Sequence, residues 1–297
     1  MLWLKALLGT ALVTAGHAQT VFLGVSKYPS TDPDTQSVLT PHTVQNMPVL
    51  NMTSTDLRCR SDALTDPSIA SFSVKANDVI TLWWEKDSMS PLTGSFAAPM
   101  GPCTVYLARY ASKGNGPQWF NVYKNGYVKG RWCSQTINEL NNGGLNVRIP
   151  SDILYGTYLL RAEIIDLTNA KMTNEDDYTQ GAGFFSNCIK IEIDSDGSDI
   201  PAGSYIPGIY TPENPSLLGD FSGDQSNYVV PGPAEYNTPK ASVASGSSDT
   251  ASLATDEADD NQVGMGLDDS TSSTTTSTSS LAAATTLPIA NEVVNLN

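Results

Sequence analysis

The chain has 297 residues and a formal net charge of −15 at pH 7. This length is enough for one large domain or two small ones with a sizeable core. The negative balance argues against nucleic acid or an anionic membrane as the partner, whereas a neutral polysaccharide is compatible with it.

Residues 1–16 have the pattern of a secretory signal peptide, with one lysine, a short apolar run and small residues. The run is too short to cross a bilayer, and no later run reaches the roughly 20 apolar residues that a span needs. Cleavage after Gly16 makes His17 the first residue of the mature protein, and cleavage after Ala18 makes it Gln19. Both sites follow small residues. We predict residues 1–18 as the signal peptide of a secreted protein that begins at Gln19, with His17 as the alternative first residue.

From Gln19 to about Pro239 the sequence predicts a β protein, because short β-branched and aromatic runs are separated by Gly, Pro and Asn. The predicted strands are Thr20–Val25, Val49–Met52, Val79–Glu85, Thr104–Ala108, Asn146–Ile149, Thr157–Asp166 and Cys188–Ile193. The partial alternation in Thr157–Asp166 is typical of a half-buried antiparallel strand. Helical patterns are rare, and Ser134–Asn141 is the best candidate. Residues 19–239 are therefore predicted to form an all-β sandwich with long loops.

The composition changes after Lys240. Residues 241–297 contain eight acidic and no basic residues, hence a charge of −8, and no aromatic residue. Because such a segment buries too little apolar surface to offset the entropy of ordering, residues 240–297 are predicted to be a disordered acidic Ser/Thr-rich tail. Ser270–Ser280 suits an O-glycosylated stalk in the cell wall. A lipid anchor is the alternative, although Asn291, Glu292 and Asn295 interrupt the apolar C-terminus.

Four cysteines in an exported chain predict two disulfides, with three possible pairings. They are Cys59, Cys103, Cys133 and Cys188. A zinc site is the alternative, but the cysteines are scattered and lack the usual ligand spacing. Asn51, in Asn51-Met52-Thr53, lies in the one sequon with an allowed middle residue, so it is the predicted N-glycosylation site.

Nine local strings follow one another in a recognisable order along residues 19–233. They are Asn46–Val49, Ser54–Cys59, Lys75–Val79, Met100–Leu107, Ile149–Ile153, Tyr158–Ile165, Gly181–Cys188, Ile206–Tyr210 and Tyr228–Pro233. Together they resemble the fungal lytic polysaccharide monooxygenases of auxiliary-activity family 9, once classed as family 61 glycoside hydrolases. The resemblance implies an immunoglobulin-like antiparallel β-sandwich whose flat face lies on β-glucan. It also implies a Cys59–Cys188 bridge, which leaves Cys103 to pair with Cys133.

The resemblance further implies a copper site. In the family, the N-terminal histidine binds through its amino group and its ring, a second histidine adds a nitrogen, and a tyrosine lies axially. Three nitrogens in this arrangement suit tetragonal copper, and a further histidine and a glutamine hydrogen-bond nearby. In this chain the matching positions hold other residues. They are Gln19 for the first histidine, Pro99 for the second, Phe185 for the tyrosine, Gly183 for the glutamine and Ala162 for the outer histidine.

The number of histidines leads to the same conclusion. The chain has two, His17 and His42, and His42 lies in the loop before the Asn46–Val49 string, away from the matched position. Family members often begin with the histidine three residues before a phenylalanine, and that position before Phe22 is Gln19. We therefore predict no metal site and no cofactor. The alternative is copper bound by His17 as the first residue, with an unorthodox second ligand.

Aromatic loop residues are the remaining candidates for binding. Tyr28, Tyr210 and Tyr236 lie in loops that the resemblance places near the flat face, where tyrosines stack on sugar rings; the alternative for each is an ordinary half-buried tyrosine. Four tryptophans within or beside apolar strings are predicted to be core residues: Trp83, Trp84, Trp119 and Trp132. A glycosidase pair cannot be chosen among the many carboxylates from sequence, because the chemistry depends on their separation.

The sequence therefore predicts a secreted, wall-associated monomer that binds β-glucan or another wall polysaccharide or surface partner without copper chemistry. The alternative function is a divergent copper-dependent monooxygenase that cleaves cellulose or a related β-glucan by oxidation.

Overall fold

The computed structural model describes residues 20–41, 43, 47–60, 64, 68–85, 99–174 and 180–236. These residues contain ten strands and one short α-helix. The strands are β1 (Phe22–Lys27), β2 (Phe72–Lys75), β3 (Val79–Trp84), β4 (Cys103–Arg109), β5 (Phe120–Asn125), β6 (Tyr127–Val128), β7 (Arg131–Trp132), β8 (Gly144–Arg148), β9 (Gly156–Asp166) and β10 (Gly183–Asp194). Helix α1 (Cys133–Glu139) lies between β7 and β8, and two short 3-10 helices cover Thr55–Leu57 and Tyr110–Ser112.

The strands form two main sheets and a small ribbon. The order is β1-β3-β8 in the three-stranded sheet and β2-β10-β9-β4-β5 in the five-stranded sheet, with β6 and β7 pairing separately. All pairs are antiparallel except β2 with β10. The expected β-sandwich is confirmed.

The main core lies between the two sheets. It joins apolar side chains from both, such as Ile80 and Leu82 of β3 with Leu160 and Ile164 of β9. A second apolar cluster, with Tyr106, Trp119 and other buried aromatic residues, covers the outer face of the five-stranded sheet beneath the long loops. As a result β9 is buried along nearly its whole length on both faces, and the prediction of a half-buried strand there is wrong.

The sandwich has two ends that matter for the site. Residue Gly156 at the start of β9 pairs with Ile193, and Asp166 at its end pairs with Gly183. Eleven residues of strand separate these ends by about 33 Å. We call them the Gly156 end and the Gly183 end.

Both disulfides that the resemblance implied are confirmed, as Cys59–Cys188 and Cys103–Cys133. The first closes a separation of 129 residues and ties the loop after β1 to the centre of β10. The second closes 30 residues and joins the start of β4 to the start of α1.

Six predicted strands and the helix are confirmed, with shifts at their ends. The predicted strand Val49–Met52 is wrong: Val49 makes an isolated bridge to Phe184, and the chain then turns because Thr53 donates two hydrogen bonds to Asn51 Oδ1. The last strand begins at Gly183, five residues before the predicted Cys188. Four strands were not predicted: β2, β5, β6 and β7.

Three predicted segments lie outside the described residues. These are the signal peptide with His17 and Gln19, the loop residue His42, and the tail 240–297. Within the described part of the chain, no helix combines the length and the apolar character that a membrane span requires.

Candidate functional site

Three of the four described positions that the resemblance assigns to the copper site lie at the Gly183 end of the sandwich. The fourth, Ala162, pairs with Asn187 near the middle of β9. Gly183 and Phe185 open β10, and Ala162 lies on the adjacent β9. The chain before β4 joins them, because the Met100 N–H donates to Asp166 Oδ1 at 3.2 Å, which places Pro99 at the same end. The side chains at these positions decide which chemistry they allow.

Phe185 and Ala162 face the interior of the sandwich. Both are fully buried and belong to the apolar core between the sheets. Phenylalanine has no hydroxyl and alanine has no polar atom beyond its backbone. Neither side chain offers a ligand for a metal or a hydrogen bond to an oxygen species.

Gly183 has no room for a larger residue. A Cβ atom built on it lies 2.9 Å from Cβ of Pro48, closer than real Cβ contacts. Pro48 is held there because Val49 and Phe184 exchange two backbone hydrogen bonds of 2.9 Å. The proline therefore fills the volume that the family's glutamine side chain would need.

Pro99 is anchored through its backbone. Its carbonyl oxygen accepts a hydrogen bond of 2.6 Å from the buried hydroxyl of Ser134 on α1. The proline ring has no donor or acceptor atom that could replace an imidazole nitrogen.

The residues at these positions do not fit a copper ion. Tetragonal copper takes nitrogen and oxygen ligands, and Pro99, Ala162, Gly183 and Phe185 supply no such side-chain atom. Asp166 Oδ1 accepts from the backbone and hydroxyl of Thr168, and the buried Oδ2 of Asp166 has no hydrogen-bond partner among the described residues. Among the described residues there is no group of three His, Cys, Asp or Glu that could hold a metal.

Tyr210, predicted to stack on sugar, lies instead in a buried polar cluster. It is 4% exposed, its ring stacks on Phe184 at 4.9 Å between centroids, and its hydroxyl donates to Glu163 Oε2 at 2.6 Å. Burial, and then the charge of Glu163, raise the pKa of Tyr210 well above its usual value, so the phenol stays protonated. The prediction that Tyr210 stacks on sugar is wrong, because its hydroxyl bonds to the buried Glu163 and its ring is buried as well.

The same cluster contains an ion pair. Arg161 and Glu163 are neighbours on the outer face of β9, and both side chains are fully buried. Glu163 also accepts from Thr104 Oγ1 at 2.9 Å, and Arg161 Nε donates to the carbonyl of Leu57 at 2.7 Å. Burial lowers the pKa of Arg161, but Glu163, Tyr210 and Tyr106 together outweigh this and the net shift is upwards. These contacts fasten two loops to the sheet, so we assign the cluster a structural role.

Tyr28 and Tyr236 lie at the Gly156 end. The Tyr28 N–H donates to the carbonyl of Val79 at the start of β3. The Tyr236 hydroxyl donates to Asp199, whose carbonyl accepts from Leu154 just before β9. Both tyrosines therefore lie at the end of the sandwich opposite Gly183. Their contact with sugar stays a prediction.

The tryptophan predictions hold for three of the four residues. Trp84, Trp119 and Trp132 are buried, at 2%, 0% and 1% exposure. Trp83 is only half-buried and projects from the outer face of the three-stranded sheet. Its strict alternation with Leu82 and Trp84 is the signal that could have identified it.

Comparison with known proteins settles the family. The family model described as Auxiliary Activity family 9 (formerly GH61) matches residues 12–228. The chain belongs to Auxiliary Activity family 9. This AA9 chain is 35% identical over 192 residues to AA9 family lytic polysaccharide monooxygenase A of Aspergillus kawachii (strain NBRC 4308), which covers 63% of the chain and 45% of that relative. It is 30% identical over 234 residues to the protein of the same name from Aspergillus flavus, with 78% and 61% covered.

The AA9 chain spans about half the length of the curated relatives it matches. Among solved structures, it superposes on CvAA9A with a TM-score of 0.63 and 24% identity, over 73% of this chain and 97% of that one. Cel61B of Hypocrea jecorina gives 0.56 and 22%, over 69% and 86%. At these identities the structural likeness establishes the shared fold.

Proposed function

We propose that this AA9 protein is a secreted, wall-associated monomer that binds β-glucan or another wall polysaccharide without copper-dependent oxidation. One observation carries the proposal. The described residues at the family's site positions, three of them at the Gly183 end, supply neither a side-chain nitrogen nor a side-chain oxygen ligand. This observation supports a retained scaffold that acts without copper chemistry.

The charge of the chain supports a neutral ligand. With 31 acidic and 16 basic residues, the protein repels nucleic acid and anionic surfaces and is indifferent to uncharged polysaccharide. The Ser/Thr-rich tail, as an O-glycosylated stalk, would hold the domain in the wall or space it from the wall.

Copper titration of the correctly processed protein tests the catalytic half of the proposal. N-terminal sequencing first establishes whether the chain begins at His17 or at Gln19. We expect calorimetry to show no tight one-to-one binding of copper(II), even with His17 first, because an amino group and one ring make only a weak chelate. Tight binding with a tetragonal electron paramagnetic resonance spectrum would overturn this half.

Retention on insoluble polysaccharides tests the binding half. Cellulose, β-1,3-glucan and chitin are incubated with the protein, and the bound fraction is compared with that of a non-binding protein of similar charge. We expect retention on at least one of them. A protein that stays in solution with all three would overturn this half.

The second candidate function is a divergent copper-dependent polysaccharide monooxygenase. The relatives at 34–35% identity, which are named lytic polysaccharide monooxygenases, favour it. It requires His17 as the first residue. Release of oxidised oligosaccharides that disappears in His17→Ala would support it, and a mature chain beginning at Gln19 would eliminate it.

A further inference from the structure

A cleft of about 250 Å³ lies on the outer face of the three-stranded sheet. It runs along β3 from Tyr28, which bonds to Val79, to Gly144, which pairs with Trp83. These positions are four residues apart, or about 13 Å along the strand. The lining residues are Tyr28, Pro29, Ser30, Thr31, Thr81, Trp83, Asn141, Gly144 and Asn146. The cleft is thus elongated, and it is built mainly from a sheet surface.

The floor of the cleft is the indole of Trp83. Its Nε1–H donates to Ser26 Oγ on β1 at 2.8 Å. Its opposite edge reaches Gly144 on β8, where an added Cβ would lie 3.1 Å from Cζ3 of the indole. The ring therefore extends across all three strands, and the absence of a side chain at Gly144 leaves space for it. A half-buried ring in this position presents an apolar surface to the cleft.

The wall of the cleft is fixed to this ring by hydrogen bonds. The Ser26 hydroxyl accepts from Trp83 and donates to the Ser30 carbonyl at 2.6 Å. The Tyr28 N–H bonds to Val79 on β3 at 3.0 Å, so the turn is held at both ends. Tyr28 itself is 59% exposed. The backbone that carries Tyr28 and Trp83 is already fixed before a ligand binds. Ordering the site would therefore cost little of the binding free energy.

The polar groups of the cleft are uncharged. The Thr81 hydroxyl donates to Asn146 Oδ1 at 2.8 Å, which orients the amide and leaves its Nδ2 donors directed away from Thr81. Among the described residues that line the cleft, none carries a charge, although the chain as a whole has a net charge of −15. Such a lining suits a neutral ligand that has both apolar faces and hydroxyl groups.

We infer that this cleft binds a linear, neutral glycan chain, with Trp83 as the stacking platform, Tyr28 as a second aromatic contact and Asn146 as a hydrogen-bond donor. The inference rests on the proposed function, polysaccharide binding, and moves the contact surface from the Gly183 end to the three-stranded sheet. The faces of sugar rings are apolar and their edges carry hydroxyls, so aromatic rings and amides bind them together.

Three substitutions test the cleft in the full chain. Trp83→Ala removes the platform, Tyr28→Ala removes the second ring, and Asn146→Asp keeps the acceptor for Thr81 but removes the amide donors. Tyr205→Ala is the matched control, because Tyr205 is 61% exposed and does not line the cleft. The readouts are retention on insoluble β-glucans and calorimetric titration with cellohexaose and laminarihexaose.

We expect Trp83→Ala to weaken binding about tenfold or more, and Tyr28→Ala and Asn146→Asp to weaken it about three- to tenfold. Tyr205→Ala should stay within about twofold of the wild type. Circular dichroism checks the fold of each variant. If Trp83→Ala fails to fold, Tyr28→Ala decides the matter, because its side chain is mostly in solvent.

Two results would overturn the inference, and they are distinguishable. If the wild type binds and both the Tyr28 and Asn146 variants bind equally well, the cleft is not the site and the proposed function stands. If the wild type binds none of the glucans or hexaoses, the proposed function fails and the inference fails with it.

Discussion

Pro48 occupies the space beside Gly183, with 2.9 Å between its Cβ and the position of a Cβ at residue 183. The two residues come from distant parts of the chain and are brought together by the bridge between Val49 and Phe184. The proline ring at position 48 thus fills the space that a side chain at position 183 would occupy. A glutamine introduced at position 183 alone would clash with the ring of Pro48.

Gly183→Gln should destabilise the protein by about 1–3 kcal/mol, because the new side chain overpacks the contact with Pro48. It should confer no tight copper binding. Denaturant unfolding measures the first effect and calorimetry the second. The matched control is Gly183→Ala measured alone and with Pro48→Gly, which removes the opposing Cβ. We expect the double variant to recover at least about 0.5 kcal/mol relative to additivity; additive effects would show that the contact is not limiting.

Tyr210→Phe should reduce the free energy of unfolding at neutral pH by about 1–2 kcal/mol. The variant removes the hydroxyl that donates to Glu163, which keeps the hydroxyl of Thr104 as a donor. The variant should bind glycans like the wild type, since Tyr210 is buried. Tyr28→Ala should show the opposite pattern, with unchanged stability and weakened binding. Denaturant titration together with retention on glucans separates the two tyrosines.

The stability deficit of Tyr210→Phe should shrink at alkaline pH. Burial raises the pKa of Tyr210 in the folded chain well above the ordinary value of 10.0. Above that pH the unfolded chain loses the phenol proton while the folded chain keeps it, so the wild type loses stability by up to about 1.4 kcal/mol per pH unit. The phenylalanine variant has no such proton to lose. A deficit that stays constant from neutral pH to well above pH 10 would contradict the assignment.

Removing the Cys59–Cys188 bridge should cost more than removing Cys103–Cys133. Their separations are 129 and 30 residues, and on the chain-entropy model these loops contribute about 4.9 and 3.6 kcal/mol. We therefore expect the Cys59→Ala/Cys188→Ala variant to be less stable by about 1 kcal/mol than Cys103→Ala/Cys133→Ala. Unfolding in guanidinium, without reductant, gives the comparison; the reverse order would show that local packing outweighs loop length.

Asn51 should carry an N-linked glycan when the protein is secreted by a eukaryotic host. Its side chain is exposed, and Thr53 donates to its Oδ1 through both backbone and hydroxyl, at 2.9 and 2.7 Å. Intact mass before and after glycosidase treatment measures the modification, with Asn51→Gln as the control. Because Asn51 follows the bridge at Val49, the glycan would stand at the Gly183 end. Binding through the Trp83 cleft should therefore be the same with and without it.

Much of the fold could be predicted from local patterns. β3 and β4 are dense in β-branched and aromatic residues, which is the pattern that predicts a strand. β2 has four residues, and β6 and β7 have two each. Such strands are too short for an alternating pattern to be detected in the sequence. They form because other strands pair with them. Burial of β9 on both faces depends on loops that arrive from distant parts of the chain, which no local alternation can report.

The candidate site divides in the same way. The identities of Pro99, Ala162, Gly183 and Phe185 could be predicted from the family pattern. The topology places three of them at one end and Ala162 near the middle of β9. The positions of the tyrosines could not be predicted, because they depend on long-range contacts. Examples are the hydrogen bonds of Tyr28 to Val79, of Tyr210 to Glu163 and of Tyr236 to Asp199. The apolar neighbours of Trp83 predict a core residue. Alternation along β3 instead places Trp83 on the outer face of the sheet, opposite to Leu82 and Trp84.

The bridge between Cys59 and Cys188 also has a consequence for proteolysis. A single cut at any peptide bond between these residues leaves two fragments that remain covalently joined. A cut within 103–133 leaves them joined twice. The nicked protein should therefore migrate as one species on a gel without reductant, and separate into two only when the disulfides are reduced.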